Sequence, residues 1–199
     1  MQMSLDALYQ CVPANCELLK RSIADENYGQ FLTTKYRFKP EQPHPLWDGA
    51  DAEFCEDLNR MLAAHPGLHS RNFSLEANWD VLEYLISPCR RAEDYDRPDL
   101  GRKAINGERE LAPHLVGAEG VALRFTPPDT VKKILTYLMQ TDFKAKFDFA
   151  QMSAATIYHK QPDCQPETYW PLVEGLLRDF TGFYRQAAIH NEGVLVWID

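Results

Sequence analysis

The sequence predicts a single α+β domain over residues 1–199, a small mixed sheet that includes the N- and C-terminal strands and packs with several helices. Three observations carry this. The chain closes on Val194-Leu195-Val196-Trp197-Ile198, apolar on both alternating faces, as in a strand interior to a sheet covered on both sides. Before it, Trp170, Val173, Leu177, Phe180, Tyr184 and Ala187 recur at three- and four-residue steps, the buried stripe of a long helix between Glu167 and His190. At the other end, Met3, Leu5, Ala7 and Tyr9 alternate with Ser4, Asp6 and Gln10, the pattern of a strand with one buried face. The composition, 45% apolar and 25% charged, is that of a globular chain rather than a disordered one. A chain of 199 residues can bury about 70% of its unfolded surface without staples.

The elements between follow from local signals. Pro13 suits the first turn of a helix carrying Leu18, Leu19 and Ile23. Lys39 to Gly49 holds Pro40, Pro43 and Pro45 and reads as an extended loop. Phe54, Leu58, Met61 and Leu62 fall at helical spacing between Ala50 and Ala64. Ser74 is placed to cap a helix containing Trp79, Leu82, Leu85 and Ile86, which Pro88 ends. Val121 to Phe125 reads as a short strand running into Thr126-Pro127-Pro128-Asp129. That tetrapeptide starts a helix, with Thr126 as N-cap and Val131, Ile134, Leu135 and Leu138 buried. In the last helix Gly175 and Gly182 lie seven apart, where missing side chains would let another element approach. Asn191-Glu192-Gly193 supplies the stop.

Charge and cysteine usage bound the function. The 21 basic and 29 acidic side chains leave a net charge of −8, the wrong sign for sequence-independent binding to nucleic acid or to anionic membranes. No run approaches the roughly 18 apolar residues of a spanning helix, and no basic and then apolar leader opens the chain. Five cysteines without a C-x-x-C pair fit reduced thiols, and the expected compartment is the cytoplasm.

Known catalytic hardware is sparse. Gly-x-Ser-x-Gly, Walker and Gly-x-Gly-x-x-Gly motifs are absent, so no serine-hydrolase, P-loop or dinucleotide signature is present, and no cofactor is expected. His65 and His69 are spaced i, i+4, but Pro66-Gly67 between them signals a turn, and no metal site is expected. Cys89 precedes Arg90-Arg91, whose charge could activate an exposed thiol, yet the sequence locates no base beside it.

Two candidate sites remain. Asp80 and Glu83 at i, i+3 and Tyr84 at i, i+4 from Asp80 place two carboxylates and a phenol beside Trp79 on one helix, able to bind a ligand or move protons if buried. The ordinary alternative is a solvated face paired with arginines. Residues 41 to 60 hold six acidic side chains against Arg60 alone, so Asp51, Glu53, Glu56 and Asp57 form either a solvated helix face or a docking surface for a basic partner.

Blocks along nearly the whole chain resemble the YfbM-like family of bacterial proteins, a domain of unknown function. They are Met3 to Lys20, Asn78-Trp79-Asp80-Val81-Leu82-Glu83-Tyr84-Leu85, Ala104-Ile105-Asn106-Gly107-Glu108, Arg124-Phe125-Thr126-Pro127, Phe147 to Met152 leading to Ile157-Tyr158, and Phe183 to Ala188. The resemblance implies a bacterial, cytoplasmic α+β protein and supplies no established reaction or catalytic residue. Arg124 and Tyr158 join the first candidate site because they lie in these blocks. The resulting expectation is a non-catalytic module that binds a basic protein partner, an immunity-type role against a toxin being its most concrete form. The alternative is an enzyme or small-molecule binder using Trp79, Asp80, Glu83, Tyr84, Arg124 and Tyr158. The sequence leaves the oligomeric state open.

Overall fold

The two chain ends meet in the middle of the sheet. In the computed structural model, which describes residues 6–33, 52–65, 70–91, 99–116, 120–155, 157 and 165–198, β1 (Ala7–Pro13) and β5 (Glu192–Ile198) pair antiparallel from Ala7 opposite Ile198 to Pro13 opposite Glu192. β2 (Asn72–Glu76) flanks β1, and β4 (Arg124–Thr126) followed by β3 (Arg109–Glu110) flanks β5, giving the order β2-β1-β5-β4-β3. Every pairing among these strands is antiparallel, so the sheet is not the mixed one expected. The α+β class and the terminal strands stand as expected.

Side-chain alternation along the central strands divides the molecule into two cores. Tyr9, Cys11, Val194 and Val196 face one side, where α4 (Trp79–Ile86), α5 (Leu100–Asn106), α6 (Pro128–Gln140) and α9 (Pro166–Ile189) cover them. Val12, Leu195 and Trp197 face the other, against α1 (Glu17–Ala24), α2 (Glu26–Thr33) and α3 (Ala52–Ala63). β5 is thus apolar on both faces because both are covered. Two short helices, α7 (Phe143–Lys146) and α8 (Phe149–Ala154), bridge α6 to the region before α9.

Several expected boundaries move, each for a local reason. Pro13 ends β1 instead of opening a helix: only β5 flanks it there, so its missing N–H breaks no second ladder, and α1 starts four residues later with Ile23 exposed. Ser74 lies inside β2, its hydroxyl accepting from the Glu76 N–H at 3.1 Å, and α4 begins after Asn78 instead. Thr126 is the last residue of β4, its hydroxyl taken by the Glu108 N–H at 3.2 Å. Pro127 is therefore the N-cap of α6. The strand expected at Val121 to Phe125 is displaced to Arg124–Thr126, with Ala122 bridging Val116. Among the described residues no second element approaches Gly175 or Gly182: none of their atoms lies within 4 Å of a Cβ at Gly182, and Gly175 would meet only an Arg178 nitrogen at 4.0 Å. The close approaches occur at other glycines. A Cβ at Gly193 would stand 2.3 Å from the Phe125 ring, where β5 and β4 meet.

In the α9 stripe Val173, Phe180, Tyr184 and Ala187 are fully buried, whereas Trp170 and Leu177 are only half-buried. Tyr9 and Tyr184 reach from β1 and α9 to the last turn of α5, donating to the carbonyls of Ile105 (3.0 Å) and Ala104 (2.8 Å). Carbonyls at the end of a helix lack intrahelical partners, so these two phenols complete the α5 terminus inside the core.

Candidate functional site

The α4 candidates do not stand in solvent. Asp80, Glu83 and Tyr84 are buried, with Glu83 1% exposed, and Trp79 packs half-buried against the core. The Glu83 carboxylate accepts from Asn106 Nδ2 at 2.6 Å and lies 3.7 Å from Arg102 Nε. Burial, with the neighbouring Tyr184 and Glu83, pushes the Tyr9 hydroxyl well above its ordinary value. Arg102 and Asn106, four apart on α5, therefore belong to this group. Asn106 sits in the Ala104 to Glu108 block, but nothing in its local pattern distinguishes it from a surface residue.

Arg124 is not brought to α4 by any of its described partners. It lies 3.5 Å from Glu110 and donates to the Glu108 carbonyl at 3.3 Å. Tyr158 lies outside the described residues. Cys89 is buried, with its backbone N–H bonded to Asp99, which withdraws the exposed thiol considered above.

Asp99 is a residue that local reasoning missed. It caps α5 by accepting from the Arg102 N–H at 2.8 Å, and also accepts from the Ser87 hydroxyl at 2.7 Å and the Cys89 N–H at 3.1 Å. Burial pushes its carboxyl up, but these donors outweigh burial and hold it below the usual range. A carboxyl lowered by folding contributes stability above its unfolded value, about pH 4, and loses it as pH falls through the folded value. Asp99→Asn is therefore expected to lower neutral-pH stability by about 1–2 kcal/mol. Urea midpoints measured against pH check this: the difference from the parent closes below about pH 4.

The acidic candidates occupy a different place. Glu53, Glu56 and Asp57 of α3 line a cleft of about 700 Å³ with Arg21, Asp25, Tyr28, Phe54 and Arg60; Asp51 lies outside the described residues. Among the described residues, the lining holds four carboxylates against two guanidinium groups. Asp57 is not the free surface charge expected of it. Its Oδ2 accepts from the Tyr28 hydroxyl at 2.7 Å and lies 3.6 Å from Arg21, while Oδ1 takes Arg60. Glu53 and Glu56 are exposed at the rim.

The Tyr28 and Phe54 rings are 4.7 Å apart, with the Arg21 guanidinium 5.7 Å from the Tyr28 ring centre. Burial, and then the Asp57 carboxylate, push the Tyr28 hydroxyl up to about 12. The Tyr28 hydrogen bond, first among several donors, holds the Asp57 carboxyl below its usual range. Tyr28 and Arg21 come from helices 29 and 36 residues away from Asp57 in sequence, so no local spacing announces the site.

Residues 32–197 match the family described as a domain of unknown function (DUF1877). The chain belongs to that family. The DUF1877 fold of this chain is similar to the crystal structure of a protein of unknown function, YfbM, from Escherichia coli. The TM-score is 0.55 at 15% identity, over 98% of this chain and 99% of that one. At that identity the likeness concerns the fold alone. No curated protein matches the chain. Among the described residues of this DUF1877 domain, no helix is long and apolar enough to cross a membrane.

Proposed function

We propose that the protein is a non-catalytic binding module whose α1–α3 cleft receives a basic segment of a partner protein. The observation that carries this reading is the cleft itself: the acidic face of α3 lines a concavity with an aromatic pair instead of standing on open surface. An arginine or lysine entering it would meet the exposed Glu53 and Glu56 carboxylates and the half-buried Phe54 ring. Asp57 and Tyr28 are poorly suited to moving protons near neutrality. Asp57 is kept ionised and Tyr28 titrates only at about 12, both away from neutrality, where a general acid or base works best. Neutralisation of a cationic toxin is one concrete form of this role.

The test is calorimetric titration with an arginine-rich peptide and its uncharged citrulline counterpart. Glu53→Lys with Glu56→Lys is expected to weaken the arginine peptide by about tenfold or more and to flatten the salt dependence. Asp129→Lys with Glu167→Lys, the same charge change on α6 and α9, is the control. Equal loss in both variants would mean that net charge alone attracts the peptide and would contradict the cleft.

A second reading, a small-ligand or catalytic site at α4, draws on the burial of two carboxylates, Asp80 and Glu83, on one helix. Asp80→Asn separates the two: it leaves peptide binding unchanged under the first reading and alters ligand retention under the second.

A further inference from the structure

We propose, resting on the reading of the α1–α3 cleft as the site of a basic partner, that the residue it receives is an arginine and that this arginine takes the place of Arg60 on the Asp57 carboxylate. The chain itself shows what this carboxylate accepts. Each cation against Asp57 among the described residues is a guanidinium, Arg60 Nη2 on Oδ1 and Arg21 Nη1 3.6 Å from Oδ2. The two contacts are built differently. Oδ2 also accepts from the hydroxyl of the buried Tyr28 at 2.7 Å, and Arg21 is tied at the same time to Glu17, Nε to Oε1 at 3.3 Å. Oδ1 is covered from within α3 by Arg60, three residues on, whose side chain is 74% exposed against 16% for Asp57. Arg60 thus reaches back from solvent over a carboxylate that Tyr28 and Arg21 already hold in place.

Exchange follows from what each guanidinium gains. An exposed i, i+3 ion pair is worth little in net terms and keeps a long side chain ordered, so releasing Arg60 costs little and returns its rotamer freedom. The incoming guanidinium keeps the contact with Oδ1 and adds the Glu53 and Glu56 carboxylates at the rim and the ring of Phe54, which lies one helical turn before Asp57 and lines the same cleft. A guanidinium can lie over an aromatic ring while its N–H groups donate to a carboxylate. An ammonium is a compact, strongly hydrated point charge, so lysine does not reproduce this combination.

Calorimetric titration of the full chain with arginine-rich and lysine-rich peptides of equal length and charge tests this. The arginine peptide is expected to bind more tightly than the lysine peptide by about threefold or more. Arg60→Ala is expected to tighten the arginine peptide by about threefold, more than Lys20→Ala, which removes the same charge from an exposed position on α1 outside the cleft lining. In an Asp57→Asn background the gain from Arg60→Ala is expected to vanish. Equal binding of the two peptides, or an Arg60→Ala gain that is absent, matched by Lys20→Ala or retained with Asp57→Asn, would each overturn the exchange while leaving the acidic cleft as the binding site. Absence of binding in both the parent and Arg60→Ala would overturn the cleft reading together with it.

Discussion

Gly101→Ala is expected to destabilise the fold by about 2–4 kcal/mol, the opposite of what helix propensity alone would give. Gly101 lies in the first turn of α5, where exchanging glycine for alanine would ordinarily stabilise by up to about 1 kcal/mol. Here a Cβ would stand 2.2 Å from the Ile86 carbonyl oxygen and 2.9 Å from the Ser87 Cα. Those are backbone atoms at the end of α4, so neither can swing away. The side chain must push α5 from α4, loosening the hydrogen bonds that Asp99 and Asn106 make across this junction and those that the end of α5 accepts from Tyr9 and Tyr184. Gly182→Ala in α9 is the matched comparison, with open space at its Cβ, and is expected to stabilise by about 0.5–1 kcal/mol. Urea denaturation of the two variants should shift midpoints in opposite directions.

Arg71→Ala is expected to cost about 3 kcal/mol. Arg71 engages Glu192 in a two-point contact, Nε at 2.7 Å from Oε2 and Nη2 on Oε1. The Glu192 side chain is 4% exposed where β5 begins opposite Pro13, while Arg71 is a quarter exposed. Removing the arginine leaves a buried carboxylate with its principal counter-ion gone, which costs more than the net value of the pair. The partial exposure of Arg71 places the expected loss at the low end for such pairs. In a double-mutant cycle Arg71→Ala with Glu192→Gln should recover part of the loss, since no charge is then left stranded. Additive losses would show that the two side chains act independently.

These two sites also mark where sequence reading stops. β5 and α9 were legible because each buries a face whose period the residues repeat, two for Val194 to Ile198 and between three and four for Val173 to Ala187. β2 was hidden because Phe73 and Leu75 supply only two apolar positions, while Ser74 also fits a helix cap. The α4–α5 approach at Gly101 and the Arg71–Glu192 pair, 121 residues apart, depend on tertiary placement that no local window contains. The candidate sites divide the same way. The acidic run of α3 is visible as composition, but its concavity depends on Arg21 and Tyr28 arriving from α1 and α2. Asp80 and Glu83 are visible as a helical pair, yet their burial and the Asn106 partner of Glu83 come from the docking of α5.

The most direct measurement is residue-resolved NMR mapping of the full chain titrated with the arginine-rich peptide. The expected result is a set of saturable shifts centred on Tyr28, Glu53, Phe54 and Glu56, lost when Glu53 and Glu56 are both changed to lysine. Shifts centred instead on Trp79 to Tyr84, or spread evenly over acidic side chains without saturation, would contradict a binding site in the α1–α3 cleft.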